Sequence, residues 1–181
     1  MGEIAKVSQH IKVTDSGEGQ SQYLTFQLGG EMYAIPILNI KEIIEYGHLT
    51  TVPMMPEFIR GVINLRGSVV PVVDMAVRFG RKSCDVSRRT CIVIIEIKTD
   101  DEKQDVGVVV DIVNEVLEIP HSEVEQTPSF GARIRADFIQ GMGKINGKFV
   151  IILDVNHVLS IDEMAMLGQV GGAETKALLP G

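Results

Sequence analysis

The chain has 181 residues, of which 45% are hydrophobic and 23% charged, with a formal net charge of −7. That length suits one ordinary domain, or two half-sized ones sharing an interface, and the apolar share is enough for a packed core. An acidic chain repels phosphate backbones, which disfavours sequence-independent binding to nucleic acid. Arg88-Arg89, a run of two basic residues, reads as a solvated loop rather than a phosphate-binding patch. Aromatic residues make up only 5% and there is no Trp, so the core must be built mainly from Val, Ile, Leu and Met.

No stretch approaches the roughly 20 apolar residues needed to cross a bilayer. The opening residues carry no apolar segment of signal-peptide length. Cys84 and Cys91 do not make a disulfide framework, so reduced thiols in a cytoplasmic protein are expected.

Residues 1–21 are polar, include Gly17 and Gly19, and lack sustained periodicity, which predicts a flexible tail. From Tyr23, Leu24, Phe26 and Leu28 alternate with Thr25 and Gln27, the period of a half-buried strand. Gly29-Gly30 suit a tight turn, and Met32 to Ile35 return as a second strand. Pro36 can open a helix, and Ile37, Ile40 and Ile44 then fall on one face of a short one, with Lys41 and Glu42 off that stripe. Phe58–Leu65 and Val69–Val73 read as a hairpin across Arg66-Gly67-Ser68. Pro71 marks the second of these strands as an edge, or as carrying a bulge.

The chain also repeats itself. Glu57-Phe58-Ile59-Arg60-Gly61 is echoed by Asp137-Phe138-Ile139-Gln140-Gly141 at an offset of 80, which holds for Gly67 with Gly147 and Asp74 with Asp154. Upstream, Ile40-x-Glu42-Ile43-Ile44 resembles Val113-x-Glu115-Val116-Leu117 at an offset of 73, so a longer loop is expected within residues 126–136. Each copy has too few strands for a large open sheet, and closure into a small antiparallel barrel removes most exposed edges. The predicted fold is mainly β: two small SH3-like antiparallel barrels sharing a core, with short helices and a C-terminal helix. The boundaries expected are a first barrel over about 22–88, a second over about 89–160 and a helix over about 161–167, where Ser160-x-x-Glu163 can form a capping box. Residues 168–181 are expected to be a flexible tail.

Reactive groups do not gather. His10, His48, His121 and His157 are scattered, without partners at metal-ligand spacing, so no metal site is expected. Gly141-x-Gly143 is followed by a strand rather than by the helix N-terminus that would hold a phosphate, so no nucleotide cofactor is expected. Asp74 and Asp154 each end a strand just before a short helical stretch, the position of an N-cap rather than of a catalytic carboxylate pair. A non-enzyme is the expectation. Arg66, at a hairpin turn, reads either as a solvated turn residue or as a displayed contact, and Glu42 as a solvated helix face or a binding carboxylate.

Around these two residues the chain resembles the CheW-type coupling proteins of bacterial chemotaxis. The resemblance rests on YLTFQLGGEMYAIPI, Ile37-Leu-Asn-Ile-Lys-Glu-Ile-Ile44, PEFIRGVINLRGSVVPVVDM, Gly107-Val-Val-Val-Asp111 and DFIQGMGKINGKFVIILDV, and covers about residues 22–167. It implies a non-catalytic adaptor that docks the regulatory domain of the histidine kinase CheA and the cytoplasmic tip of methyl-accepting chemoreceptors. It implies residence in the cytoplasm, at receptor arrays beneath the inner membrane and without direct membrane insertion. Carried over residue by residue, it implies partner-binding roles for Ile40, Glu42, Arg66, Cys91, Gly107, Val113 and Val116. The long N-terminal tail and Cys91, where an aliphatic residue is expected, depart from the family pattern. They leave open an adaptor for a parallel kinase pathway, and a β-barrel that binds a small ligand remains a further alternative.

Overall fold

The computed structural model describes residues 20–83, 85–98, 102–126 and 138–159. Among these residues, eleven strands are arranged in two sheets. They are β1 (Gln20–Leu28), β2 (Glu31–Pro36), β3 (Ile40–Glu45), β4 (Ile59–Leu65), β5 (Ser68–Asp74), β6 (Cys91–Lys98), β7 (Lys103–Val110), β8 (Ile112–Pro120), β9 (Val124–Glu125), β10 (Ile139–Ile145) and β11 (Lys148–Leu153). Among the described residues, two four-residue helices, α1 (Met75–Arg78) and α2 (Val155–Val158), follow β5 and β11. The expected tail over 1–21 is overturned at its end, since Gln20 and Ser21 already pair in β1 with Pro120 and Ile119. The rest of the tails, the C-terminal helix and most of the loop within 126–136 lie outside the described residues.

The first sheet runs β8-β1-β2-β11-β10-β9 and the second β3-β6-β7-β5-β4. Both are mainly antiparallel, but each holds one parallel pair, β11 with β2 and β5 with β7. In the second sheet an isolated bridge, Thr50 to Val62, brings the chain beyond β3 back against β4. In the first, β9 returns in the same way against β10, with Glu125 opposite Met142. Each sheet thus curls into a small barrel, and the barrels interlock along the chain. The hairpin β1–β2 joins the strands of the second repeat, and β6–β7 joins those of the first, so the division near residue 88 does not separate the sheets.

The repeat is structural. β4 and β10 start 80 residues apart, as do β5 with β11 and α1 with α2. Both hairpins bulge at their first glycine, between Ile59 and Gly61 and between Ile139 and Gly141. Both turn through two left-handed residues, Arg66-Gly67 (φ 53° and 86°) and Asn146-Gly147 (φ 51° and 78°), whose twist matches that of the flanking strands. Asp74 and Asp154 cap the helices as expected, accepting hydrogen bonds from Val77 N (3.2 Å) and His157 N (3.3 Å). The offset of 73 also has a structural meaning: β3 and β8 are the corresponding outer strands, each bulged against its neighbour near Ile40 and Val113.

Two expectations need correction. The helix over Ile37–Ile44 is a single 3-10 turn, Ile37–Asn39, after which Ile40 is already extended (φ −95°, ψ 127°) and β3 begins. The β-branched Ile residues pair with Ile92–Ile95 of β6, and such side chains favour a pleated surface. Pro71 does not lie on an edge strand, because β5 sits between β4 and β7. Its missing N–H costs nothing there, since the parallel ladder to β7 begins only at Val72; the bulge lies opposite, on β4.

Three apolar clusters account for the packing. A shared core draws Leu24, Phe26, Tyr33 and Leu153 from the first sheet and Val73, Val93 and Val108 from the second, with Phe138 just before β10 and Phe79 just after α1. Each barrel also has its own interior: Tyr23, Ala34, Ile119, Val150 and Ile152 in one, Val70, Val72, Ile92, Ile94 and Val109 in the other. A strand such as β6 therefore buries both faces, which is why it reads as an unbroken apolar run.

Candidate partner-binding site

The hairpin turn between β4 and β5 and the outer strand β3 meet at one corner of the second barrel. Arg66, with its side chain 76% exposed, donates from Nη2 to Glu42 Oε2 at 2.7 Å. Its left-handed backbone is supported by Asn64, whose Oδ1 accepts from Gly67 N at 2.9 Å. The hydrogen bond to Glu42, reinforced by its charge, raises the Arg66 pKa above its already high ordinary value. Glu42 is mostly covered, with only 18% of its side chain exposed. Its second oxygen, Oε1, is buried and accepts no hydrogen bond. A buried carboxylate oxygen without a donor is costly, and in the depression it faces the donor can be a water or a partner's polar group.

Both residues line a depression of about 310 Å³ together with Lys41, Leu65, Ser68, Ile94 and Asp105. Lys41 closes one side through Asp105 (3.0 Å) and Glu96 (3.9 Å). The result is an apolar floor at Leu65 and Ile94 with a rim of alternating charge.

The other residues singled out in the sequence fall into two groups. Ile40 on β3, and Val113 and Val116 on β8, are half-buried and pack against the shared core from corresponding outer strands. They are therefore available as apolar contacts on both barrels. Cys91 and Gly107 are not. Cys91 is 1% exposed within the shared core, and burial, then Glu45, push its thiol pKa up, away from reactivity. Gly107 is buried inside the second barrel, where an added Cβ would stand 2.7 Å from Ile92 Cγ2. These two can shape the surface only from behind.

Sequence reading did not single out Asn114, between the two valines of β8, whose Oδ1 is likewise buried and unpartnered. It also passed over the polar hub of the first repeat. There Arg60 Nε donates to Asp74 Oδ2 (2.8 Å), Nη1 to the Tyr46 hydroxyl (3.0 Å) and Nη2 to Ser83 Oγ, while Ser83 donates to Asp74 Oδ2 (2.6 Å). The available signal was Arg60 standing opposite Gln140 within an otherwise like stretch, Glu57–Gly61 against Asp137–Gly141. Among the described residues, no three His, Cys, Asp or Glu side chains gather as a metal site would require, and no helix is long and apolar enough to cross a membrane.

Comparison with known proteins agrees with this architecture. The family model of the CheW-like domain matches residues 22–163. The chain is similar to the chemotaxis protein CheW of Klebsiella aerogenes, 32% identical over 170 residues that cover 94% of this chain and 98% of that protein. The corresponding protein of Helicobacter pylori is 32% identical over 148 residues, 82% of this chain and 87% of its own length. Among solved structures, the scaffolding protein TtCheW of Thermoanaerobacter tengcongensis superposes with a TM-score of 0.72 at 30% identity, covering 83% of this chain and 95% of that one. With its duplicated hairpins and paired barrels, this chain belongs to the CheW family of chemotaxis proteins.

Proposed function

We propose that this protein is a non-catalytic adaptor that couples a CheA-type histidine kinase to the cytoplasmic tips of chemoreceptors, in the cytoplasm beneath the inner membrane. Membership of the CheW family supports that role. The observation that carries the site assignment is the Glu42 carboxylate, one oxygen held by Arg66 and the other buried without a donor beside a depression on an outer strand. A receptor tip is helical, and a helix laid across β3 would meet apolar contacts at Ile40 while offering a polar side chain to Glu42. Val113 and Val116 present the corresponding strand of the other barrel. A small apolar area with a charged rim suits modest, exchangeable affinity. A small-ligand role has less support, since each barrel interior is occupied by its own side-chain cluster.

Co-sedimentation with a CheA-type kinase and receptor fragments tests this reading. Glu42→Lys is expected to lose receptor engagement by about tenfold or more, since it puts a cation against Arg66 and removes the orienting carboxylate. Its far-UV circular dichroism should match that of the wild type. Receptor co-sedimentation at the wild-type level would sink the assignment.

A further inference from the structure

The segment from Arg78 to Ser83 links the two barrels in a way that its counterpart after β11 does not reproduce at the described positions. Arg78, at the end of α1, donates from Nε to the carbonyl of Val158 at 2.9 Å, and Val158 is its own counterpart at the offset of 80. Its guanidinium carbon lies 5.0 Å from the Phe58 ring centre and 4.7 Å from that of Phe138, two further counterparts. One cation of the first repeat thus engages both copies of the same aromatic, where the second repeat has an uncharged Val. Phe79 extends the contact, with ring centres 5.5 Å from Tyr33 on β2 and 6.2 Å from Phe138, just before β10. Beyond the helix, Arg81 Nη2 reaches back to Glu31 Oε2 on β2 at 2.9 Å, and the Tyr33 hydroxyl donates to the same oxygen at 3.0 Å. Ser83 then ties the segment to the Arg60–Asp74 pair of its own barrel.

The covalent crossings between sheets are short: Ile37–Asn39 leads from β2 to β3, and Asp111 alone leads from β7 to β8. Those same crossings deliver the two outer strands that carry Ile40, Glu42, Val113 and Val116. We propose that Arg78 and Arg81 form an inter-barrel clamp that sets the spacing of β3 and β8, making them positioning residues for partner engagement although they touch no partner. The clamp rests on the proposed function for its consequence, but not for its geometry. A helix spanning both edges needs them at a fixed separation, and shared apolar packing alone is less directional than a planar guanidinium with a fixed donor fork.

Spin labels at Glu45 on β3 and Glu118 on β8, both exposed, would read the spacing by pulsed dipolar spectroscopy in a Cys84→Ser background; the buried Cys91 thiol should not label. The wild type is expected to give one narrow distance distribution. Arg78→Lys keeps the charge but loses the planar stacking, and should broaden or shift it. Glu31→Gln, at a position with 43% of its side chain exposed, removes the Arg81 pair without opening the core and should do the same. Receptor-fragment affinity in both variants should fall roughly three- to tenfold with the contact residues untouched. Arg81→Lys, which can still pair with Glu31, should give smaller changes in both readouts than Glu31→Gln. Unchanged distributions in both variants would overturn the clamp, and broadened distributions at wild-type affinity would overturn its role in engagement. If the wild type binds no receptor fragment, the proposed function fails, while the distances still decide the clamp.

Discussion

At Gly107 the absence of a side chain is a packing requirement. The residue pairs with Val72 across the parallel ladder and with Ile94 across the antiparallel one, and faces the interior of the second barrel. An added Cβ would stand 2.7 Å from Ile92 Cγ2 and 3.4 Å from Val72 Cγ2, and both are branched residues with little room to yield. Gly107→Ala should therefore destabilise the fold by about 1–3 kcal/mol, read as a lower urea midpoint with an unchanged slope. Any loss of partner binding in that variant would follow from the shifted β6–β7 pair, since the residue cannot reach the surface. Cys91 acts by the same logic: the resemblance marks it for partner binding, yet its thiol lies inside the shared core. Glu42 and Arg66 are the reverse case, since each alone reads as a solvated charge. Only the fold gives them a common corner and leaves one buried oxygen unsatisfied.

Among the elements, the two capped helices show how one motif was reused for different ends. Asp154 caps α2 and pairs with His157 Nδ1 at 2.8 Å, on a largely exposed histidine. Asp74 caps α1 but also holds Arg60, whose side chain is only 17% exposed, and accepts from Ser83. Burial opposes the charge on Arg60, and its hydrogen bonds to Tyr46 and Asp74 outweigh that effect, so its pKa lies above the ordinary value. Asp154→Ala should cost about 1 kcal/mol, the loss of a cap. Asp74→Ala should cost about 3 kcal/mol or more, because a mostly buried guanidinium loses its counter-charge. Thermal or denaturant unfolding of the pair of variants checks the difference, and equal losses would mean that the hub adds nothing to the cap. The repeat made both N-caps legible, because an Asp at the end of an apolar run before a short helical stretch has few other roles. The hub was not legible, since Tyr46, Ser83 and Asp74 are far apart in sequence.

The whole molecule is held by a core that neither barrel completes alone. Leu24, Phe26 and Leu153 from one sheet pack with Val93, Ile95 and Val108 from the other. Unfolding should therefore be a single transition, with coincident curves from far-UV circular dichroism and tyrosine fluorescence. A fragment spanning residues 37–110 contains every strand of the second sheet, yet it would expose the shared face and should remain unfolded. A folded, monomeric fragment would show that the barrels are independent. The same burial explains the misread segment at Ile37–Ile44. Ile43 faces the shared core and Ile44 the interior of its own barrel, so apolar residues fall on both faces and the period of two is lost.

Local chemistry was enough to determine the strand-rich class, the duplicated hairpins, their glycine turns and the Asp caps, because each depends on residues within a few positions of one another. The 80-residue offset, a property of the sequence alone, carried directly into β4 with β10 and β5 with β11. Tertiary structure alone decided which strands share a sheet. Pairing of β1–β2 with β11, and of β6–β7 with β5, is a choice among apolar strands that look alike, made by long-range packing around a common core. It also decided which marked residues face outward. Burial is a property of the assembled fold, and it places Cys91 and Gly107 inside while bringing Glu42 and Arg66 together at the surface.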